Sequence, residues 1–336
     1  VRALLQVFLI PLGFIYALAA WFRRQYFQRL NKRKKSAVFT IAVGNLAVGG
    51  TGKTPMSLYL AQHTKNATAM LSRGYKRKTK GFREVQLTDD AALCGDEPLE
   101  MKIANPNLPI FVCEKRLEGI VSIQKLLPYT ETVILDDAFQ HLPLLANRYV
   151  LLTDYHNLFY KDWPMPAGRL REFACTAYQA DVIVVTKCPI DLHETEADRI
   201  RRHLEKYDIP VFFCHYENAD PENALGNTCP SDAHIMVVSG LANNDAFQTW
   251  AKKWGNVKVC LGYPDHYNFK PSDYSQWQQT LLMSEDTVIL TTRKDFARMQ
   301  GLPDDMKRRI FMTFTTPKFL FQQEALFEEL VLNRKH

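Results

Sequence analysis

Val43-Gly44-Asn45-Leu46-Ala47-Val48-Gly49-Gly50-Thr51-Gly52-Lys53-Thr54-Pro55 is a glycine-rich turn ending in Gly-Lys-Thr. The apolar run 37–43 leading into it reads as a buried strand, and 56–63 after it as the start of a helix. Strand, glycine turn and helix together make a phosphate-binding loop. Backbone N–H groups around Gly49, Gly50, Thr51 and Gly52 would turn inward on a phosphate, helped by the positive end of the helix dipole. Lys53 would reach the β- and γ-phosphates, and the Thr54 hydroxyl would ligate Mg²⁺. One position departs from G-x-x-x-x-G-K-T: Ala47 stands where the first glycine is usual, with Gly49 and Gly50 supplying flexibility inside the loop.

Beyond the loop, apolar runs at 68–71, 110–112, 132–135, 150–153 and 181–186 alternate with helix-like stretches, the rhythm of a parallel sheet with crossover helices. Ligands in such sheets gather at the carboxyl ends of the strands, so the following loops hold the chemistry. Arg73-Gly74 opens a cationic loop that continues to Lys80 and suits an anionic substrate. For its 76–80 tail a solvated turn is the plainer alternative. In Gly95-Asp96-Glu97-Pro98 the proline presets a first helical turn, and Asp96 reads either as a cap or as a reactive carboxylate. Thr132-Val133-Ile134-Leu135-Asp136-Asp137 has the form of a Walker B strand, with Asp136 and Asp137 as metal-holding acids. Arg169 and Arg171, on a Pro/Gly loop, could clamp a phosphate or a sugar.

From about 208 to 232 the chain changes character: 211–216 could be a strand, but 217–231 is rich in Asn, Asp, Pro and Gly, as linkers are. A second α/β unit follows, with strands at 234–239, 257–261 and 287–291 and with His266 among aromatics on a turn. The last of these strands leads into Thr292-Arg293-Lys294-Asp295-Phe296-Ala297-Arg298, whose first four residues are a misordered echo of a guanine-binding Thr-Lys-x-Asp in the wrong domain.

The net charge of +6 over 336 residues is local: residues 1–35 carry eight Lys/Arg and no acid, leaving the remainder at −2. The body is therefore not a basic nucleic-acid binder. Residues 3–22 are apolar apart from Gln6, a length of about 30 Å as a helix. Pro11 and Gly13 suit a kinked spanning helix or one lying in the interface, and the basic flank would meet anionic lipid on the cytoplasmic side. A cleavable signal peptide fits less well, because the basic run follows the apolar one. Seven cysteines without a C-x-x-C pair argue for reduced thiols rather than a zinc site or disulfides.

The fold class is thus α/β: a P-loop parallel-sheet (α/β/α) domain over 36–207, a linker over 208–232 and a smaller α/β domain over 233–336, preceded by a membrane-associated helix and basic flank over 1–35. A GTPase would show Asn/Thr-Lys-x-Asp for guanine and Asp-x-x-Gly after the acidic strand; Thr186-Lys187-Cys188-Pro189 and Phe139 at the third position after Asp136 fail both tests. A transferase acting on a membrane lipid uses the anchor, the cationic loops and the spare acids together.

Read in order, the loop 43–55, Leu71-Ser72-Arg73-Gly74-Tyr75, Gly95-Asp96-Glu97-Pro98, Asp136-Asp137-x-Phe139-Gln140-His141, Pro166-Ala167-Gly168 with Leu170-Arg171-Glu172, and Asp265-His266-Tyr267 resemble the tetraacyldisaccharide 4′-kinase (lipid A 4′-kinase) family of Gram-negative bacteria, over nearly the whole chain. The resemblance implies ATP-dependent phosphorylation, with Mg²⁺, of the 4′-hydroxyl of a tetraacylated glucosamine disaccharide 1-phosphate, the lipid A precursor. It implies the cytoplasmic face of the inner membrane, and two α/β/α domains joined by a β-stranded hinge with the active site in the cleft. It implies no protein partner. By the family's pattern Asp96 is the base, supported by His266. Asp136 and Asp137 match the acids near the metal, and Arg73, Gly74 and Arg171 fall on loops facing the substrate. Ala138 and Lys76 stand where many members have glycine.

Overall fold

The computed structural model describes residues 2–241, 244–265, 267–299 and 301–334, with side chains from residue 8 onward. The helix α1 (Arg2–Arg29) leads into a large sheet formed by β1 (Phe39–Asn45), β2 (Thr68–Ser72), β3 (Arg83–Glu84), β4 (Ile110–Val112), β5 (Thr132–Leu135), β6 (Arg148–Asp154), β7 (Val182–Thr186) and β8 (Val211–Asn218). The smaller sheet takes β9 (Glu222–Asn223), β10 (His234–Ser239), β11 (Asn256–Gly262), β12 (Thr287–Thr292) and β13 (Ile310–Thr313); β14 (Thr315–Phe319) then returns to the large one.

The order in the large sheet is β14-β8-β7-β6-β1-β5-β2-β4-β3, and in the smaller sheet β9-β13-β12-β10-β11. Strands β1, β2, β4, β5, β6, β7 and β8 are parallel, while β3 and β14 lie antiparallel at the two edges. The central strands are near-continuous Val, Ile, Leu and Ala because both faces are covered. One face carries Ile120 and Ile123 of α2 (Arg116–Leu126) and Ile200 and Leu204 of α3 (Glu194–Leu204). The other carries Met56 and Leu60 from the helix Lys53–His63, and Phe327 and Val331 from Glu324–Leu332. After β1 the chain crosses to β2, and β5 later inserts between them. The phosphate loop at the end of β1 is therefore next to whatever follows β5.

Two boundaries differ from the sequence reading. The possible strand 211–216, grouped with the linker, is a full strand, Val211–Asn218, and belongs to the large sheet, pairing with β7 and β14. The segment 315–332, assigned to the smaller unit, belongs to the large one, where Phe319 and Phe327 pack on Phe212. Apolar periodicity tells that these residues are buried but not which sheet buries them.

Helix α1 runs unbroken through Pro11. It is fastened to the loop 163–179: a Cβ on Gly13 would meet the Pro164 carbonyl oxygen at 2.7 Å, Phe14 packs edge-on against Phe173, and Arg24 donates to Glu172 at 2.8 Å and to Gln179. Phe8, Leu12, Ile15 and Phe22 are each more than half exposed. Among the described residues no helix is long and apolar enough to cross a membrane.

Arg24 and Glu172 are both buried, so removing one partner strands the other charge. Arg24→Ala should weaken docking of α1 by on the order of 3 kcal/mol. Hydrogen exchange read by mass spectrometry should then speed up across 2–29 and stay unchanged in the central strands.

Candidate active site

The loop after β1 is braced by side chains of β1 itself, of β7 and of the segments that follow β5 and β7. Asn45 donates to the Thr51 hydroxyl at 2.9 Å, and Gln140 donates to the Asn45 carbonyl at 2.6 Å. The Thr186 hydroxyl donates to the Thr51 carbonyl at 2.9 Å, and Lys187 donates to Gly50 while pairing with Asp154. Gly52 has φ +82°, and a Cβ there would strike the Tyr216 hydroxyl, which itself donates to the Gly52 carbonyl at 2.9 Å. Position 52 admits glycine on both counts. Beside Gly49 and Gly50 there is open space, and the helix begins at Lys53 with its first N–H groups directed at that space.

At the end of β5, Asp136 is fully buried and Asp137 is half-exposed with φ +46°. One oxygen of Asp136 accepts from the Ser57 hydroxyl at 3.1 Å, while Oδ2 has no hydrogen-bond partner. Burial, then the charges of Glu97 and Asp137, push this carboxyl up to about 7, against the pull of Lys53 and Ser57. Asp137 faces two cations, Lys53 at 3.9 Å and Arg171 at 3.2 Å. Arg116, buried at the start of α2, donates to the Cys113 and Asp136 carbonyls, and desolvation draws it down to about 10. His141 is held neutral, down to about 4, by burial and by Arg116, Arg23 and Arg73. Arg23 belongs to α1, so that helix brings a cation to the site's flank.

Asp96 is the first residue of the helix Asp96–Ala104, with Gly95 rather than the aspartate at the cap position, and it pairs with Arg298 at 3.4 Å. Gly95 (φ +96°) and Gly74 (φ +69°) touch, which seats the Arg73 loop against that helix. Arg73 itself is exposed. In the cationic tail Arg77 is committed to Glu114 at 2.6 Å, and Lys78 and Lys80 lie exposed, the solvated turn of the plainer reading. Arg169 pairs with Asp162 at 2.9 Å, and its carbonyl accepts from the Val48 N–H. His266 lies outside the described residues.

The structure thus joins Lys53, Asp136, Asp137 and Arg171 in one cluster at the carboxyl ends of β1 and β5, with Thr54 adjoining Lys53 on the helix. Ser57, Glu97 and Arg116 were missed as members of it. Ser57 follows Lys53 by one helical turn, a spacing that places it on the same face. Glu97 was visible only as part of a quoted motif, and nothing in the chain around Arg116 marks it.

A parallel sheet, a glycine loop opening a helix at lysine, and an acidic pair on the adjoining strand define a P-loop protein. The model of the LpxK family, tetraacyldisaccharide-1-P 4′-kinase, matches residues 5–335. A tetraacyldisaccharide 4′-kinase of Flavobacterium psychrophilum is 36% identical over 301 residues, covering 87% of this chain and 86% of the relative. That of Phocaeicola vulgatus is 33% identical over 337 residues, covering 95% and 92%. The crystal structure of LpxK from Aquifex aeolicus in complex with ATP superposes with a TM-score of 0.76 at 29% identity, over 97% of this chain and 99% of that one. The chain belongs to the tetraacyldisaccharide-1-P 4′-kinase family.

The Asp136 carboxyl binds more protons folded than unfolded from about pH 4 to about pH 7. With divalent cations chelated, its contribution to stability therefore falls as pH rises through that window. Asp136→Asn abolishes the titration. Urea unfolding of both proteins should show the difference moving a few kcal/mol in the variant's favour between those limits. A difference independent of pH would contradict the environment described.

Proposed function

We propose that the chain transfers the γ-phosphoryl group of ATP to the 4′-hydroxyl of a tetraacylated glucosamine disaccharide 1-phosphate, the lipid A precursor. The observation that carries this is the cluster of Lys53 with Asp136 and Asp137 beside an open glycine loop, in a chain of this family. Open space over Gly49 and Gly50 lets phosphate oxygens approach the backbone, and Lys53 meets the charge that develops on the migrating group. The buried, unpartnered Oδ2 of Asp136 fits a divalent cation, since a carboxylate so placed is costly without one. Thr54, Asp136 and Asp137 would hold Mg²⁺, which when bound neutralises charge on the β- and γ-phosphates. Asp96 accepts the proton of the attacking hydroxyl as the bond between γ-phosphorus and the β–γ bridging oxygen breaks, with His266 as its support by the family's pattern.

Arg73 and Arg171 offer cations to an anionic acceptor beside the cluster, with Arg23 arriving from α1. A 1-phosphorylated sugar with acyl chains suits a basic pocket flanked by an apolar helix. The exposed Phe8, Leu12, Ile15 and Phe22 would enter the bilayer surface while Arg23 to Lys35 meet anionic headgroups. On this reading the enzyme works at the cytoplasmic face of the inner membrane.

Two experiments test the reading. Lys53→Ala should lower kcat by on the order of 10²-fold or more in a folded protein. Product formed from ATP and the disaccharide, followed by ³¹P NMR, should gain a second sugar phosphate; near-normal turnover by the variant would sink the assignment. A chain beginning at Lys32 should lose flotation with anionic liposomes and turn over vesicle-embedded substrate poorly. Unchanged flotation would place the attachment elsewhere.

A further inference from the structure

The stretch Thr292 to Arg298 follows β12 of the smaller sheet and touches the helix that carries Asp96. Thr292 caps a short helix, Arg293–Phe296, accepting from the Asp295 N–H at 3.1 Å. Asp295 is fully buried and its Oδ2 accepts from the Gly240 N–H at 3.1 Å and the Thr292 hydroxyl at 3.0 Å. Its other oxygen faces Arg298 at 3.3 Å. The Arg298 side chain is 1% exposed and extends past Asp295 to the Asp96 carboxylate at 3.4 Å. Arg293 donates to the Ala104 carbonyl at 3.4 Å, at the opposite end of the same helix. Lys294 holds Asp265 at 3.3 Å.

A guanidinium this deeply buried is tolerated only against acids that stay charged and bonded. Asp295 is tied on its far side to backbone and hydroxyl, so it acts as a fixed post from which Arg298 reaches out. The reach crosses from the smaller unit to the large one. Arg298 offers planar, directed N–H groups, which orient a carboxylate more tightly than an ammonium does. Arg293 at the carboxyl end of the helix, where cations are favoured, keeps the two units in register along the helix's length.

We infer that Arg298 is a positioning residue for phosphoryl transfer: through Asp295 the smaller unit aims the carboxylate of Asp96, so the base takes its working orientation only when both units are in contact. The inference rests on the reading of Asp96 as the base.

Steady-state kinetics of Arg298→Met, Arg298→Lys, Asp96→Asn and the Asp96→Asn/Arg298→Met double variant test it. Loss of aim should cut kcat about 10-fold or more in Arg298→Met while KM for ATP stays within about twofold. Arg298→Lys should recover part of the rate, and the double variant should be no slower than Asp96→Asn alone. A wild-type kcat in Arg298→Met beside a crippled Asp96→Asn overturns the positioning role alone, as do losses that multiply in the double variant. A wild-type rate in Asp96→Asn overturns the base reading and the positioning role with it. Should Arg298→Met prove insoluble, Asp295→Asn loosens the post and leaves Arg298 in place. A lower kcat at constant KM then supports the inference, and an unchanged kcat overturns it.

Discussion

A carboxylate shut away from water governs the architecture. Asp136 has no exposed surface, one bonded oxygen and one without a partner. Such a group is stable only where positive charge is near and more can be delivered. The strand order answers that need: inserting β5 between β1 and β2 brings Asp136 beside the helix that begins at Lys53, so Ser57 and Lys53 come from one element. Arg116 and Arg171 arrive from elements on the other side. A phosphate loop without this neighbour would be a generic anion cradle. The neighbour is what suits it, on the proposed reading, to a nucleotide and a cation together.

Much of this was legible because the chemistry needs contiguous residues. The glycine loop, the apolar strand running into two aspartates, and the proline that starts the helix at Asp96 are local signals, and each structural element appeared where the residues put it. What was not legible depends on distance in sequence. Arg116 acts from 20 residues before Asp136, and Glu97 from 39. The pairing of Arg169 with Asp162 was not legible either, because it depends on how the intervening turn closes. The return of 315–332 to the large sheet eluded reading for a related reason. Its aromatic residues are equally apolar against either core, and only the meeting with Phe212 decides between them.

Helix α1 serves two surfaces at once. Its Gly13, Ala17 and Arg24 side is committed to protein through close backbone approach and a buried ion pair. Its large apolar residues look outward. An isolated apolar helix would take any angle to a bilayer, whereas one riveted along one side carries the body with it. The charge on Arg23 then reaches the neighbourhood of His141 and Arg73 as a consequence of docking, not of its own flexibility.

The chain passes between its two units twice, leaving by β8 and returning by β14, and these strands are hydrogen-bonded to each other from Cys214 to Asn218. A single linker would let the smaller unit swivel in all directions. Two strands bonded side by side behave as a flat strap, compliant to flexing across its face and stiff to sliding or in-plane rotation, because those motions would break the ladder. Any motion of the smaller unit about these strands would be confined largely to one soft coordinate, a path along a line rather than through a volume. Tyr216 lies on that strap with its hydroxyl on Gly52, and flexing there is felt mechanically at the phosphate loop itself.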